Sequence, residues 1–151
     1  MSALTPTHYD TLGGEAGIRR LVDRFYDLMD AAPEAANVRA LHAPNLKASR
    51  EKLFLYLSFW TGGPATYVEQ RGHPRLRQRH MPFTIGARER DEWLWCMDRA
   101  LGEHAMPDAL RTSLTLKLHE LADFMRNQPD HADQAAARRE LPQGPEVVPG
   151  N

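Results

Sequence analysis

The chain has 151 residues, 42% of them hydrophobic and 26% charged, with a formal net charge of -1. That length suits one domain with a real hydrophobic core, and the near-neutral balance gives no electrostatic argument for nucleic acid or a membrane surface. The single cysteine, Cys96, excludes an internal disulfide and any cysteine-built zinc or iron–sulfur site within one chain, and no apolar run approaches the roughly 20 residues that span a bilayer.

After a short polar lead, Leu12-Gly13-Gly14-Glu15 breaks the chain and frees the next segment to begin a helix. Ile18, Leu21, Val22, Phe25, Leu28 and Met29 recur at steps of three and four, which predicts a core helix of about four turns with Tyr26 at the edge of its stripe. Ala31-Ala32-Pro33 ends it. A short piece leads through His42-Ala43-Pro44 to Asn45, an expected N-cap, and Leu53, Tyr56, Leu57 and Trp60 mark the buried face of the helix that follows. Thr61-Gly62-Gly63-Pro64 stops that helix, and Ala65 to Arg71, without a clear period, reads as a loop or extended turn.

The stretch from Gly72 to Ile85 holds two of the seven histidines, His73 and His80. Pro74 is suited to a first helical turn and Pro82 to a stop, so a helix of about two turns is expected between them, with Leu76 and His80 on one face. At about 1.5 Å of rise per residue the two histidines lie too far apart along the chain to share one ion. His80, followed by Pro82-Phe83, is the better candidate to lean from an apolar wall as an axial ligand, although a lone histidine on a half-apolar helix is ordinarily structural. Beyond Ile85-Gly86, Trp93, Met97, Ala100 and Leu101 predict a long helix. Ala105-Met106-Pro107-Asp108 breaks it, and Leu110, Leu114, Leu118, Leu121 and Met125 form the inner stripe of a last one.

From Gln128 the composition shifts to proline, alanine, glutamine and charge, which predicts a disordered tail over 128–151 after a domain over 1–127. No repeat and no alternating strand pattern occurs, so the fold class is all-α. The N-terminus lacks the charged and apolar regions of a secretory signal, and with one cysteine the expected location is cytoplasmic. A helical chain with one promising histidine, several large aromatics and no His-x-x-x-His or Glu-x-x-His pair suits a porphyrin better than a bare metal. Glu120 directly follows His119, so those two side chains diverge around a helix.

Tyr9-Asp10-x-Leu12-Gly13-Gly14, Arg24-Phe25-Tyr26, Gly62-Gly63-Pro64, the stretch Gly72 to Phe83, and Glu89-Arg90-Asp91-x-Trp93-Leu94-x-Cys96-Met97 together resemble the bacterial truncated haemoglobins of group II, from about Tyr9 to Asn127. The resemblance implies a globin-like fold of two helices over two with haem b, iron protoporphyrin IX, between them. It makes His80 the proximal iron ligand and lines the distal side with Tyr26, Trp93 and the first half of the Leu46 to Trp60 helix. His42 and Ser49 match positions where polar side chains reach a bound ligand, and Leu53 an apolar distal contact. Their ordinary alternative is a solvent-facing turn histidine and a first-turn helix serine. Phe54, Tyr56, Leu57, Phe83 and Ile85 are wall candidates that core packing would explain equally. Lys52, Tyr67 and Arg79 match positions that meet the haem propionates, while Arg75 and Arg77 read more simply as a solvated basic face.

The function implied is binding or transport of dioxygen, with carbon monoxide and nitric oxide as further diatomic ligands and peroxide or sulfide as additional candidates. A second reading is redox turnover, a peroxidase or nitric oxide dioxygenase fed by an external reductase. A third is a haem-free helical interaction module in which His80 is incidental. No nucleic acid or membrane partner is expected, and the chain is read as a monomer or homodimer.

Overall fold

The computed structural model describes residues 6–72 and 85–126, and every regular element among them is helical. A one-turn helix α1 (His8–Thr11) leads into α2 (Gly14–Ala31), followed by a 3-10 turn (Pro33–Ala35) and the short α3 (Ala36–Ala40). Then come α4 (Lys47–Trp60), α5 (Thr66–Arg71), α6 (Ala87–Glu103) and α7 (Asp108–Phe124). The four long helices stand where hydrophobic periodicity puts them.

Helix α2 is the centre of the packing, with α4 on one side and α6 on another; α7 packs on α6, α3 on α6, and α5 on α4. Its buried set is Gly17, Ile18, Leu21, Val22, Phe25, Tyr26 and Met29, an unbroken stripe of three- and four-residue steps. Gly13 and Gly14, at φ 105° and 66°, turn the chain out of α1 in a region that side-chain-bearing residues rarely enter. Gly17 answers a different constraint, since a Cβ there would stand 1.9 Å from the Leu12 carbonyl oxygen. That oxygen also accepts a 2.8 Å bond from His104 Nε2, beyond the end of α6, so α1, α2 and α6 close on one point.

Three expectations change. The segment Ala65 to Arg71, read as a loop, is helical from Thr66. Six residues are too few to display a period, and isolated they would not hold a helix. Here Tyr67 is buried with its ring edge-on to Tyr56 at 5.6 Å, and tertiary packing stabilises the turn. Asn45 is not the N-cap of α4, which is Leu46, yet the Asn45 Oδ1 accepts from the Lys47 N–H at 2.8 Å and so satisfies a donor at the helix start. Of the expected inner face of α4, Leu57 is fully buried, whereas Leu53, Tyr56 and Trp60 are half-buried and pack against the core from its margin. That leaves one side of α4 apolar and only partly covered.

The stripe of α7 is as expected, with Leu114, Leu118 and Met125 buried and Leu110 and Leu121 partly so. The helix expected between Pro74 and Pro82, with His73, Arg75, Leu76, Arg77, Arg79 and His80, lies outside the described residues, as do Phe83 and the tail over 128–151. Among the described residues no helix is long and apolar enough to cross a membrane.

Gly17→Ala must displace the Leu12 carbonyl and its His104 bond. Overpacking of this kind costs about 1–3 kcal/mol, so urea unfolding should show that loss, and an unchanged midpoint would contradict the close approach.

Candidate functional site

The α2 stripe carries two adjacent aromatics, Phe25 and Tyr26. Phe25 is fully buried, and its ring meets Tyr26 edge-on at 4.8 Å between centroids and Trp93 of α6 at 5.0 Å. On its other side Tyr26 meets His42 at 5.8 Å, again edge-on. Tyr26, His42 and Trp93, far apart in sequence, are thus gathered around one phenylalanine, in geometries aromatic rings favour.

The Tyr26 side chain is buried, and burial pushes its phenol well above the ordinary value near 10.0, against the opposing pull of the Arg50 guanidinium. It is therefore a proton donor at any physiological pH. Among the described residues neither the Tyr26 hydroxyl nor the Trp93 indole N–H makes a hydrogen bond. Two donors beside one core ring thus have no protein acceptor in the described structure.

His42 is held by its backbone surroundings. Its Nδ1 lies 2.9 Å from the Val38 carbonyl, which can only accept, so in the neutral ring the proton sits on Nδ1. Arg39 fixes the loop beyond α3, donating to the carbonyls of Ala43 (2.9 Å) and Pro44 (2.8 Å) and to Asp30 of α2 (2.9 Å). Arg50 ties the first turns of α4 to α2 through Asp23 (3.1 Å) and Asp27 (2.8 Å), with its guanidinium 5.8 Å from the Tyr26 ring centre.

Ser49 lies in the first turn of α4, half-buried, with Leu53 one turn on. Phe54 points elsewhere: the Arg19 guanidinium of α2 covers its ring at 3.7 Å. Lys52 is exposed, Leu57 and Tyr67 are buried, and Ile85 is buried just before α6. His80, Arg79 and Phe83 lie outside the described residues. At the start of α6 the Glu89 carboxylate accepts from the Gly86 N–H at 2.9 Å. Burial works to raise its pKa, but the backbone N–H groups of Gly86 and Glu89 and the Arg88 charge outweigh that and hold it low. The helix bearing Trp93 is thereby capped one turn before the indole.

Sequence reading passed over Arg50 and Glu92. Both look like solvated helix charges, and their partners lie 23 to 55 residues away. Glu92 accepts from the Asn37 N–H (2.8 Å), the Val38 N–H (2.9 Å) and the Asn37 side-chain amide (2.7 Å), joining α6 to α3.

Residues 7–127 match the family model of bacterial-like globins. The chain is 32% identical over 128 residues to the group 2 truncated hemoglobin YjbI of Bacillus subtilis, covering 85% of this chain and 94% of that protein. Among solved structures, the group II 2-on-2 hemoglobin of the plant pathogen Agrobacterium tumefaciens superposes with a TM-score of 0.81 at 45% identity, over 86% of this chain and 100% of that one. A cold-adapted truncated hemoglobin from the Antarctic marine bacterium Pseudoalteromonas haloplanktis superposes with a TM-score of 0.80 at 41% identity, over 82% and 99% of the two chains.

Burial also lifts the Tyr56 phenol, to about 12, with the Tyr67 phenol adding to the shift. Folded values above the unfolded 10.0 mean that the unfolded chain releases these protons first. Their contribution to stability is complete below about pH 10 and declines as pH rises toward the folded values. Tyr26→Phe, which cannot ionise, should lose stability less steeply above pH 10 than the parent chain in urea titrations; equal slopes would contradict the burial of that phenol.

Proposed function

The chain belongs to the bacterial-like globin family, as a group II truncated haemoglobin of two-over-two helical fold, and on that premise we propose that it binds haem b through His80 and holds a diatomic ligand, dioxygen first, with Tyr26 and Trp93. Haem, when bound, would supply an iron that His80 would hold and that takes up dioxygen, carbon monoxide or nitric oxide. The observation that carries the reading is the pair of donors flanking Phe25, the Tyr26 hydroxyl and the Trp93 indole N–H, with no acceptor among the described residues.

Both donors stand beside the core with no protein acceptor among the described residues, so a small ligand that accepts from both gains two hydrogen bonds without displacing one already made, each worth about 1 kcal/mol. Burial keeps the phenol protonated, and an indole donates only, so both groups favour a ligand that gathers negative charge at its far atom. His42 restrains the Tyr26 ring from its outer side. Ser49 adds a hydroxyl near the first turn of α4.

Leu53, Tyr56 and Trp60 offer the half-covered apolar side of α4 to the porphyrin face, whereas Leu57 and Ile85 are already buried and Phe83 enters only through the family resemblance. Phe54, under Arg19, serves the packing of α4 on α2 instead. Exposed Lys52, with Arg79 and the Tyr67 hydroxyl, suits the propionates at the mouth.

Two kinds of variant test this reading. In the haem-loaded protein, Tyr26→Phe and Trp93→Phe should each speed oxygen dissociation, by about tenfold for a bond of about 1.4 kcal/mol, as followed by stopped-flow displacement with carbon monoxide. Changes below about twofold in both would remove the donor roles. His80→Ala should lose haem or the five-coordinate ferrous spectrum; a spectrum like that of the parent chain would remove His80 as the ligand.

A further inference from the structure

Helix α3 has five residues, too few to hold themselves, and the residue before it, Ala35, offers no side-chain cap. Its first N–H groups are satisfied from another helix. One Glu92 carboxylate oxygen accepts from the backbone N–H of Asn37 and of Val38, at 2.8 and 2.9 Å, and the other accepts from Asn37 Nδ2 at 2.7 Å. Three charge-assisted bonds to one half-buried carboxylate make a rigid junction.

What that junction holds is specific. Val38, whose N–H it takes, presents its carbonyl to His42 Nδ1 at 2.9 Å, and the His42 ring stands edge-on to Tyr26 at 5.8 Å. A continuous path therefore runs from the α6 carboxylate through the α3 backbone to the His42 tautomer and on to the phenol. Trp93 is next to Glu92 in sequence, but adjacent helical residues diverge by about 100°, so the path to the site goes through α3 and not through the indole.

We propose that Glu92 is a positioning residue for the distal site: its carboxylate sets α3 so that Val38 locks His42 with the proton on Nδ1, and His42 in turn holds the Tyr26 ring in its donor orientation. This rests on the haem-binding reading above for its effect on ligand release, though not for the tautomer. Arg39 anchors the following loop by separate bonds and does not replace the junction, since none of its partners lies in α3.

The test uses the full chain, before and after loading with haemin and reduction under carbon monoxide. Long-range proton–nitrogen NMR correlations read the His42 tautomer, a property that a merely structural acid would not move. The expected result is an Nδ1-protonated ring in the parent chain and a mixed population in Glu92→Ala. Oxygen dissociation should be faster in Glu92→Ala by at least about threefold, faster by a similar factor in His42→Phe, and no faster still when the two are combined.

Glu92→Gln keeps one oxygen for the two backbone N–H groups and should stay near the parent in both readouts. Should Glu92→Ala fail to fold, Glu92→Asp, too short by one methylene for all three donors, replaces it with the same expectations. An unchanged His42 tautomer in the folded variant, or effects that multiply in the double variant, would overturn the proposal. If the parent chain takes up no haem, the functional reading falls, and the tautomer comparison on the haem-free protein still decides the role of Glu92.

Discussion

Phe25 has no polar atom, yet the arrangement of the site turns on it. Its ring is fully buried between Tyr26 and Trp93, and both neighbours meet it edge-on, at 4.8 Å and 76° and at 5.0 Å and 61°. A T-shaped contact fixes the orientation of a ring as well as its distance, because the positive edge of one aromatic seeks the negative face of another. The separation and aim of a phenol and an indole on two helices are thus set by a hydrocarbon that cannot compete for their hydrogen bonds. The α2–α6 packing and the placement of the two donors are one interaction described at two scales.

Around that apolar centre, polar junctions do the alignment. Arg50 clamps α4 to α2 through Asp23 and Asp27, Glu92 clamps α3 to α6, Glu89 caps α6, and His104 bonds to the Leu12 carbonyl beside Gly17. All but the Glu89 cap join segments distant in sequence, and Glu92 and Glu89 end on helix-start N–H groups that have no partner within their own helix. Surface ion pairs as a class add little to stability. Here their consequence is register: they determine which turn of one helix faces which turn of the next, and so which side chains reach the space beside Phe25.

The long helices were legible in the sequence because each carries a stripe over several turns, as Ile18, Leu21, Val22, Phe25 and Met29 do in α2. Short elements were not. The six residues of α5 never complete two turns, and Tyr67 takes its place from Tyr56 on another helix, a contact that no local pattern signals. Tyr26 and Trp93 could be named as candidates from residue type and resemblance, but their convergence on Phe25 is a property of the packing. Glu92 escaped notice for the opposite reason: in sequence it is one acid in a charged helix, and its meaning comes from Asn37 and Val38, more than 50 residues earlier. Phe54 shows the limit of reading a wall residue by hydrophobicity, since it sits beside Leu53 in sequence and yet lies under Arg19 on the side toward α2.

We propose above all that this fold encloses haem with an open ligand position beside Tyr26 and Trp93. The most direct measurement is the absorption spectrum of the purified full chain after reconstitution with haemin, first ferric, then dithionite-reduced, then under carbon monoxide. An enclosed haem with an open ligand position gives a Soret band that shifts on adding carbon monoxide, with one haem per chain. A chain that, folded, shows no Soret band after reconstitution, or one that carbon monoxide leaves unmoved, would contradict it.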